Sequence, residues 1–146
     1  PTDHNAIFQL GNISLMENNY PKAIRLFDSS VKIKPNFWQA INNKGLAYFE
    51  KNKINLSIKL FEKAVSIADN AEPLLGLASC LRTKDIKYAL QLAKKALDKD
   101  PKYVSYDYRK EQLWGEKLQI STEILLQNAQ IKTDVILAKS KINESS

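Results

Sequence analysis

The sequence predicts an all-α fold, a solenoid of three stacked helix hairpins followed by further helix. Small residues, aromatics and prolines recur at a spacing near 34 residues, as Gly11 and Gly45 do. Within each block the apolar residues step by three and four, the period of an α-helix. Only 4 glycines and 5 prolines occur in 146 residues, too few for the closely spaced turns of a β-fold.

Five columns move together. Gly11, Gly45 and Gly76 form one, and Ala23, Ser57 and Ala89 a second. Four residues further on come Phe27, Phe61 and Ala93, then Ser30, Ala64 and Ala96, and finally Pro35, Asp69 and Pro101. Small residues in the first helix and on the facing side of the second allow the two helices to cross closely. Phe27 and Phe61 fill the space between successive pairs. No single pair buries its apolar face alone, so about three must stack.

In the first block IFQLGNISLM and AIRLFDSSVKI are the two helices. Between them Asn18 and Asn19 suit a left-handed turn, and Pro21 suits the first turn of the next helix. Pro35 ends that helix by forcing Lys34 out of helical geometry. The second block reads WQAINNKGLAYFE, the turn KNKIN, and LSIKLFEKAVSIA. The third reads EPLLGLASCLR, the turn TKD, and IKYALQLAKKALDKD, with Pro73 again in a first helical turn. The pairs are expected over about 5–33, 38–68 and 72–98.

At these columns the chain resembles the tetratricopeptide repeat family, whose sparse pattern runs aromatic, Leu-Gly, Tyr, Ala, Phe, Ala and Pro. Unit one (4–37) matches at Leu10-Gly11, Ala23, Phe27 and Pro35, with Ile7 and Ser14 at aromatic columns. Unit two (38–70) matches at Gly45, Tyr48, Phe61 and Ala64, with Ser57 for Ala and Asp69 for Pro. Unit three (71–103) matches at Leu75-Gly76, Ala89, Ala96 and Pro101, and carries Ala93 for the phenylalanine. The resemblance implies a right-handed α-solenoid of three hairpins over residues 1–103, plus a C-terminal capping helix within 104–146. Residues 105–126 are expected to be that cap, burying Tyr106, Leu113, Trp114 and Leu118. Along the whole remainder from Tyr103 on, Ile120, Ile124, Ile131, Val135, Ala138 and Ile142 share one helical face, and Trp114, Leu118, Leu125 and Ala129 a second. Residues 128–142 continue the helix, fold back or stay mobile, and the closing NESS is expected to be disordered. QLWGEKL also resembles endings of short repeat proteins of cyanobacteria and plastids, some of which help assemble photosynthetic complexes.

The family binds peptides or helices of other proteins on a concave face lined by the first helix of each pair. Carried over by position, the lining is Asn5, Phe8, Asn12, Leu15 and Met16 in unit one. Unit two adds Gln39, Asn42, Asn43, Leu46, Phe49 and Glu50, and unit three Leu77, Cys80 and Leu81. Together they make an apolar groove with amides ready to pair with a ligand backbone. Several would be core instead if the first helices bury much of their surface. An uncovered strip of Phe8, Leu15, Met16, Leu46, Phe49 and Leu77 calls for an occupant: a partner, a second copy in a homodimer, or the chain's own tail at 128–142. One branch of the family clamps the carboxylate end of chaperone tails. Asn12 and Asn43 stand at its two asparagine positions, but Phe8, Asn70 and Leu74 replace its cations. A buried carboxylate would there lack a partner, which argues against that ligand.

Other function classes fail on inventory. His4 and Cys80 are the single histidine and cysteine, too few for a zinc site or an internal disulfide. The glycines sit inside helices, so no phosphate-binding loop exists. Neither a catalytic residue nor a cofactor site is expected. The net charge of +6 motivates a rival reading as a basic, nucleic-acid-binding solenoid. Nineteen of the 22 basic residues are lysines scattered among acids, however, whereas nucleic-acid surfaces concentrate arginine and aromatics. No apolar run reaches the ~20 residues of a membrane span, and no signal peptide is visible. The first residue is Pro1 rather than Met, so the native start is expected to be missing. The expected location is the cytoplasm.

Overall fold

The computed structural model describes residues 3–144, and every regular element among them is helical. Three antiparallel pairs come first: α1 (His4–Met16) with α2 (Tyr20–Ile33), α3 (Trp38–Glu50) with α4 (Ile54–Ile67), and α5 (Ala71–Leu81) with α6 (Ile86–Lys99). A 3-10 turn (Pro101–Val104) leads to α7 (Tyr106–Glu111) and α8 (Glu116–Leu126). A second 3-10 turn (Ala129–Ile131) leads to α9 (Lys132–Glu144). Each pair packs on the next, with α3 against α2 and α5 against α4.

The local signals act as expected. Asn18 and Asn52 take positive φ values of 59° and 64° at the ends of α1 and α3, where an asparagine tolerates left-handed backbone. Asp3, Asn19 and Asp85 cap the starts of α1, α2 and α6 by accepting from the amides of Asn5, Lys22 and Tyr88. Lys34, before Pro35, is extended at φ −128°, ψ 91°.

The column residues are the core. Ala23, Ser57, Ala89, Ser30, Ala64 and Ala96 are all fully buried. A Cβ on Gly11 would stand 2.5 Å from the Phe27 ring. Cβ atoms on Gly45 and Gly76 would come within 3.0 and 2.9 Å of Phe61, so this one ring packs against two units. The hydroxyls of Ser30 and Ser57 donate to the carbonyls of His4 (2.8 Å) and Gly45 (2.9 Å), tying each second helix to its first.

The C-terminal third departs from expectation. The single cap over 105–126 is broken into α7 and α8 at residues 112–115, where Leu113 adopts φ 71°, rare for a bulky side chain. That turn sends α8 back across α5 and the end of α3, while α9 packs on α6 and the first 3-10 turn. Thus α9 closes the end of the stack, the place expected for 105–126. Ile131, Val135, Ala138 and Ile142 turn inward on this stretch, as their spacing suggested. Ile120 and Ile124 do not share that face: they are 54% and 47% exposed, because α8 seats Leu118, Thr122 and Leu125 instead. Tyr106, expected in the core, is also exposed, whereas Trp114 and Leu118 are buried. Of the expected disordered end, Asn143 and Glu144 finish α9, and residues 145–146 lie outside the described residues.

Candidate functional site

The face formed by α1, α3 and α5 is largely filled by the chain itself. Glu50, at the end of α3, accepts from the backbone amides of Lys117 (3.0 Å) and Leu118 (3.1 Å), the first-turn donors of α8. Gly115, at the N-cap position, supplies no side-chain cap of its own. The charge of Glu50 also suits the positive end of that helix. Burial pushes the Glu50 carboxyl above the usual range, and the two amides only partly offset it. The Lys117 ammonium reaches the Glu50 carbonyl (3.3 Å) and Asn52 Oδ1 (3.1 Å).

Further along α8, Thr122 and Ser79 share a hydrogen bond between hydroxyls at 2.7 Å, and Ser121 donates to the Ser79 carbonyl at 2.8 Å. Trp114 Nε1 donates to Glu72 Oε2 (3.0 Å), and the Tyr103 hydroxyl donates to Glu72 Oε1 (3.2 Å). Burial raises the Glu72 carboxyl as well, against those hydrogen bonds. Arg109, fully buried, donates to Gln119 Oε1 (2.7 Å), the Tyr103 carbonyl (2.8 Å) and Glu123 Oε1 (2.6 Å). It therefore joins α7, α8 and the 3-10 turn. Lifting α8 away would strand these buried polar groups, so α8 is a fixed part of the face.

The residues expected along the groove divide accordingly. Leu46, Phe49, Leu77 and Cys80 are buried rather than exposed as a strip, and Leu81 is half-buried. Asn42 and Asn43 are buried: Asn42 Nδ2 donates to Asn43 Oδ1 (3.0 Å), and Asn43 Nδ2 donates to Asn12 Oδ1 (2.9 Å). Phe8 packs its ring on Phe37 and Phe27, with centroids 4.9 and 5.9 Å away. Asn5 and Gln39 are exposed, Asn12 is half-buried, and Met16 stands 66% exposed. The tail at 128–142 does not enter this face, which is taken by α8 instead.

A cleft of about 450 Å³ stays open between the end of α1 and the α7–α8 turn. Leu15, Met16, Tyr20, Tyr106, Leu113 and Trp114 give it apolar and aromatic walls, and Lys110 and Glu116 also line it. Only Leu15, Met16 and Glu50 of its lining were legible as groove residues. The α7–α8 side was missed because its position depends on contacts 39 to 68 residues apart in sequence, such as Arg82 to Ser121 and Glu50 to Leu118.

Cys80 is 3% exposed and burial pushes its thiol up to about 12, which opposes thiolate chemistry. Among the described residues no cluster of His, Cys, Asp and Glu is placed to hold a metal ion, and no helix is long and apolar enough to cross a membrane.

Residues 39–70 match the family model of the tetratricopeptide repeat. No curated protein sequence matches the chain. Among solved structures, the first tetratricopeptide domain of Spaghetti (RPAP3), bound to the HSP90 peptide SRMEEVD, is similar with a TM-score of 0.66 at 15% identity. That match covers 86% of this chain and 94% of the other. Residues 41–end of MamA from Desulfovibrio magneticus RS-1 give 0.67 at 20% identity, over 97% and 78% of the two chains. The N-terminal domain of stress-induced protein-1 from C. elegans gives 0.59 at 21% identity, over 75% and 91%. The likeness at these identities is one of fold.

Proposed function

We propose that this chain, built on the tetratricopeptide-repeat fold, is a non-catalytic scaffold that holds a segment of another protein in the cleft between α1 and the α7–α8 turn. The carrying observation is the cleft itself: an apolar-walled opening of about 450 Å³ beside Met16, on a face largely filled by α8. Apolar clefts of this size with a few polar groups are the usual seats of ligands. The peptide bound by the Spaghetti domain of the same fold supports the reading. Because α8 fills the face over α3 and α5, the partner contributes one or two anchoring side chains here rather than a long strand or helix. A scaffold of this kind would serve as an assembly factor by presenting one bound segment to other components.

A photo-crosslinking residue at Met16 tests this. It should capture a protein partner from the source organism, whereas the same group at Ile136 on α9 should not. Leu113→Glu, which charges the cleft wall, should abolish capture at position 16. Equal capture from both positions would defeat the proposal.

A further inference from the structure

A second cleft, of about 220 Å³, opens beside α8 and is lined from three directions. Phe49 and Ile54 come from the second unit, Ser79, Cys80, Arg82 and Thr83 from the third, and Lys117, Ile120 and Ser121 from α8. Its lining holds two cations and no carboxylate. Neither cation makes a close ion pair among the described residues, in contrast to Arg109 with Glu123, although the Lys117 charge acts on the nearby Glu50 carboxyl. Arg82 uses Nε on the Ser121 hydroxyl (3.2 Å), which leaves its two Nη groups for a ligand. The Lys117 ammonium rests on two uncharged oxygens, of Glu50 and Asn52. The nearby Glu50 carboxylate is buried and turned onto the α8 amides. Beside the cations lies an apolar wall containing Ile54 (37% exposed) and Ile120 (54% exposed).

From this juxtaposition we infer that the cleft binds an acidic side chain of a partner protein flanked by an aliphatic residue. The guanidinium of Arg82 presents the planar donor fork that suits a carboxylate, and Lys117 adds a second charge. The Thr83 hydroxyl offers a further donor at the rim. The aliphatic neighbour covers Ile120 and Ile54, removing water from the ion pair and strengthening it. This site is separate from the Met16 cleft, so either can fail without the other.

Three short peptides decide it in titrations followed by backbone-amide NMR: a blocked Leu-Glu-Leu peptide, its blocked Leu-Gln-Leu twin, and Leu-Gln-Leu with a free C-terminus. The glutamate peptide should shift the amides of Arg82, Thr83, Lys117 and Ile120 and saturate, and its glutamine twin should not. Arg82→Gln and Lys117→Gln should each weaken the glutamate peptide about tenfold, and added salt should weaken it further. If Arg82→Gln fails to fold, the exposed Lys117→Gln decides alone. Equal titration by both blocked peptides, or shifts confined to other residues, would overturn the assignment. Tighter binding of the free-ended peptide than of the glutamate peptide would also overturn it, since the site would then read a chain end.

Discussion

A Cβ on Gly115 would stand 2.5 Å from Glu50 Cγ, so the turn entering α8 meets the end of α3 with no room for a methyl group. The absence of a side chain there lets the Glu50 carboxylate reach the α8 amides. Gly115→Ala should therefore push α8 off its seat and cost ~1–3 kcal/mol. Thermal denaturation followed by circular dichroism should show a lower melting temperature. An unchanged value would mean that Glu50 swings aside freely and does not hold α8.

The buried Glu50 and the half-buried Glu72 set a pH dependence. Glu50 and Glu72 are both raised by burial, so the folded chain holds their protons more readily than the unfolded chain. Their contribution is fully present below the ordinary glutamate value of 4.5 and is lost as pH rises through the raised folded values. Asp69 works the other way: Lys95 lowers it, so its contribution is lost only as pH falls below its ordinary 3.8. The melting temperature should thus rise on acidification from neutrality toward about pH 5. The double variant Glu50→Gln, Glu72→Gln should flatten that rise, and a variant curve parallel to the parent's would refute the linkage.

The repeat was legible because each column answers a local steric demand. Gly45 and Gly76 are small because Phe61 lies on them, and Ser57 and Ala64 are small because α4 crosses α3 closely; such demands recur whenever the unit recurs. The α7–α8 arm has no such period. Its position depends on single pairings between distant residues, Glu50 with Lys117 and Ser79 with Thr122, for which one copy of the sequence offers no repeat to compare. Arg109 illustrates the difficulty. In YDYRKEQ it reads as a solvated helix charge, yet it is fully buried with three separate acceptors.

Phe61→Ala should cost more than a typical core truncation, because the lost ring leaves a void between two units. About 3–5 kcal/mol is the ordinary range for Phe→Ala. Gly45→Leu, which overfills the same crossing, should cost ~1–3 kcal/mol or more. Urea titrations of both variants would show this, and a midpoint unchanged in either would contradict the shared packing.

Arg109→Met should be strongly destabilising in spite of its similar bulk. The Tyr103 carbonyl and Gln119 Oε1 would lose their donor inside the core, about 1–3 kcal/mol for each acceptor left unsatisfied, whereas the Glu123 carboxylate is 42% exposed and can turn to water. Arg109→Lys should rescue little, since one ammonium cannot span acceptors that three guanidinium nitrogens now reach. Full rescue by lysine in a thermal melt would show that only the charge matters.

Deleting residues 128–146 separates the two C-terminal helices by role. Were the tail seated in the groove, its removal would open the face beside Met16 and leave the stack intact. Here α9 instead covers the end of the stack, with Ile131 and Ala138 buried and Leu97 of α6 beside it. The truncated chain should consequently melt at lower temperature and bind apolar dyes at its newly exposed C-terminal end. The cleft at Met16 should keep its shape, because Glu50, Ser79 and Arg109 hold α8 without help from α9. Hydrogen exchange supplies the discriminating reading: the amides of Lys117 and Leu118, bound to Glu50, should stay protected in the truncated protein while those of α6 exchange faster. If the α8 amides lose protection as early as α6 does, the two helices form one cooperative arm, and the polar contacts of α8 alone do not fix it in the face.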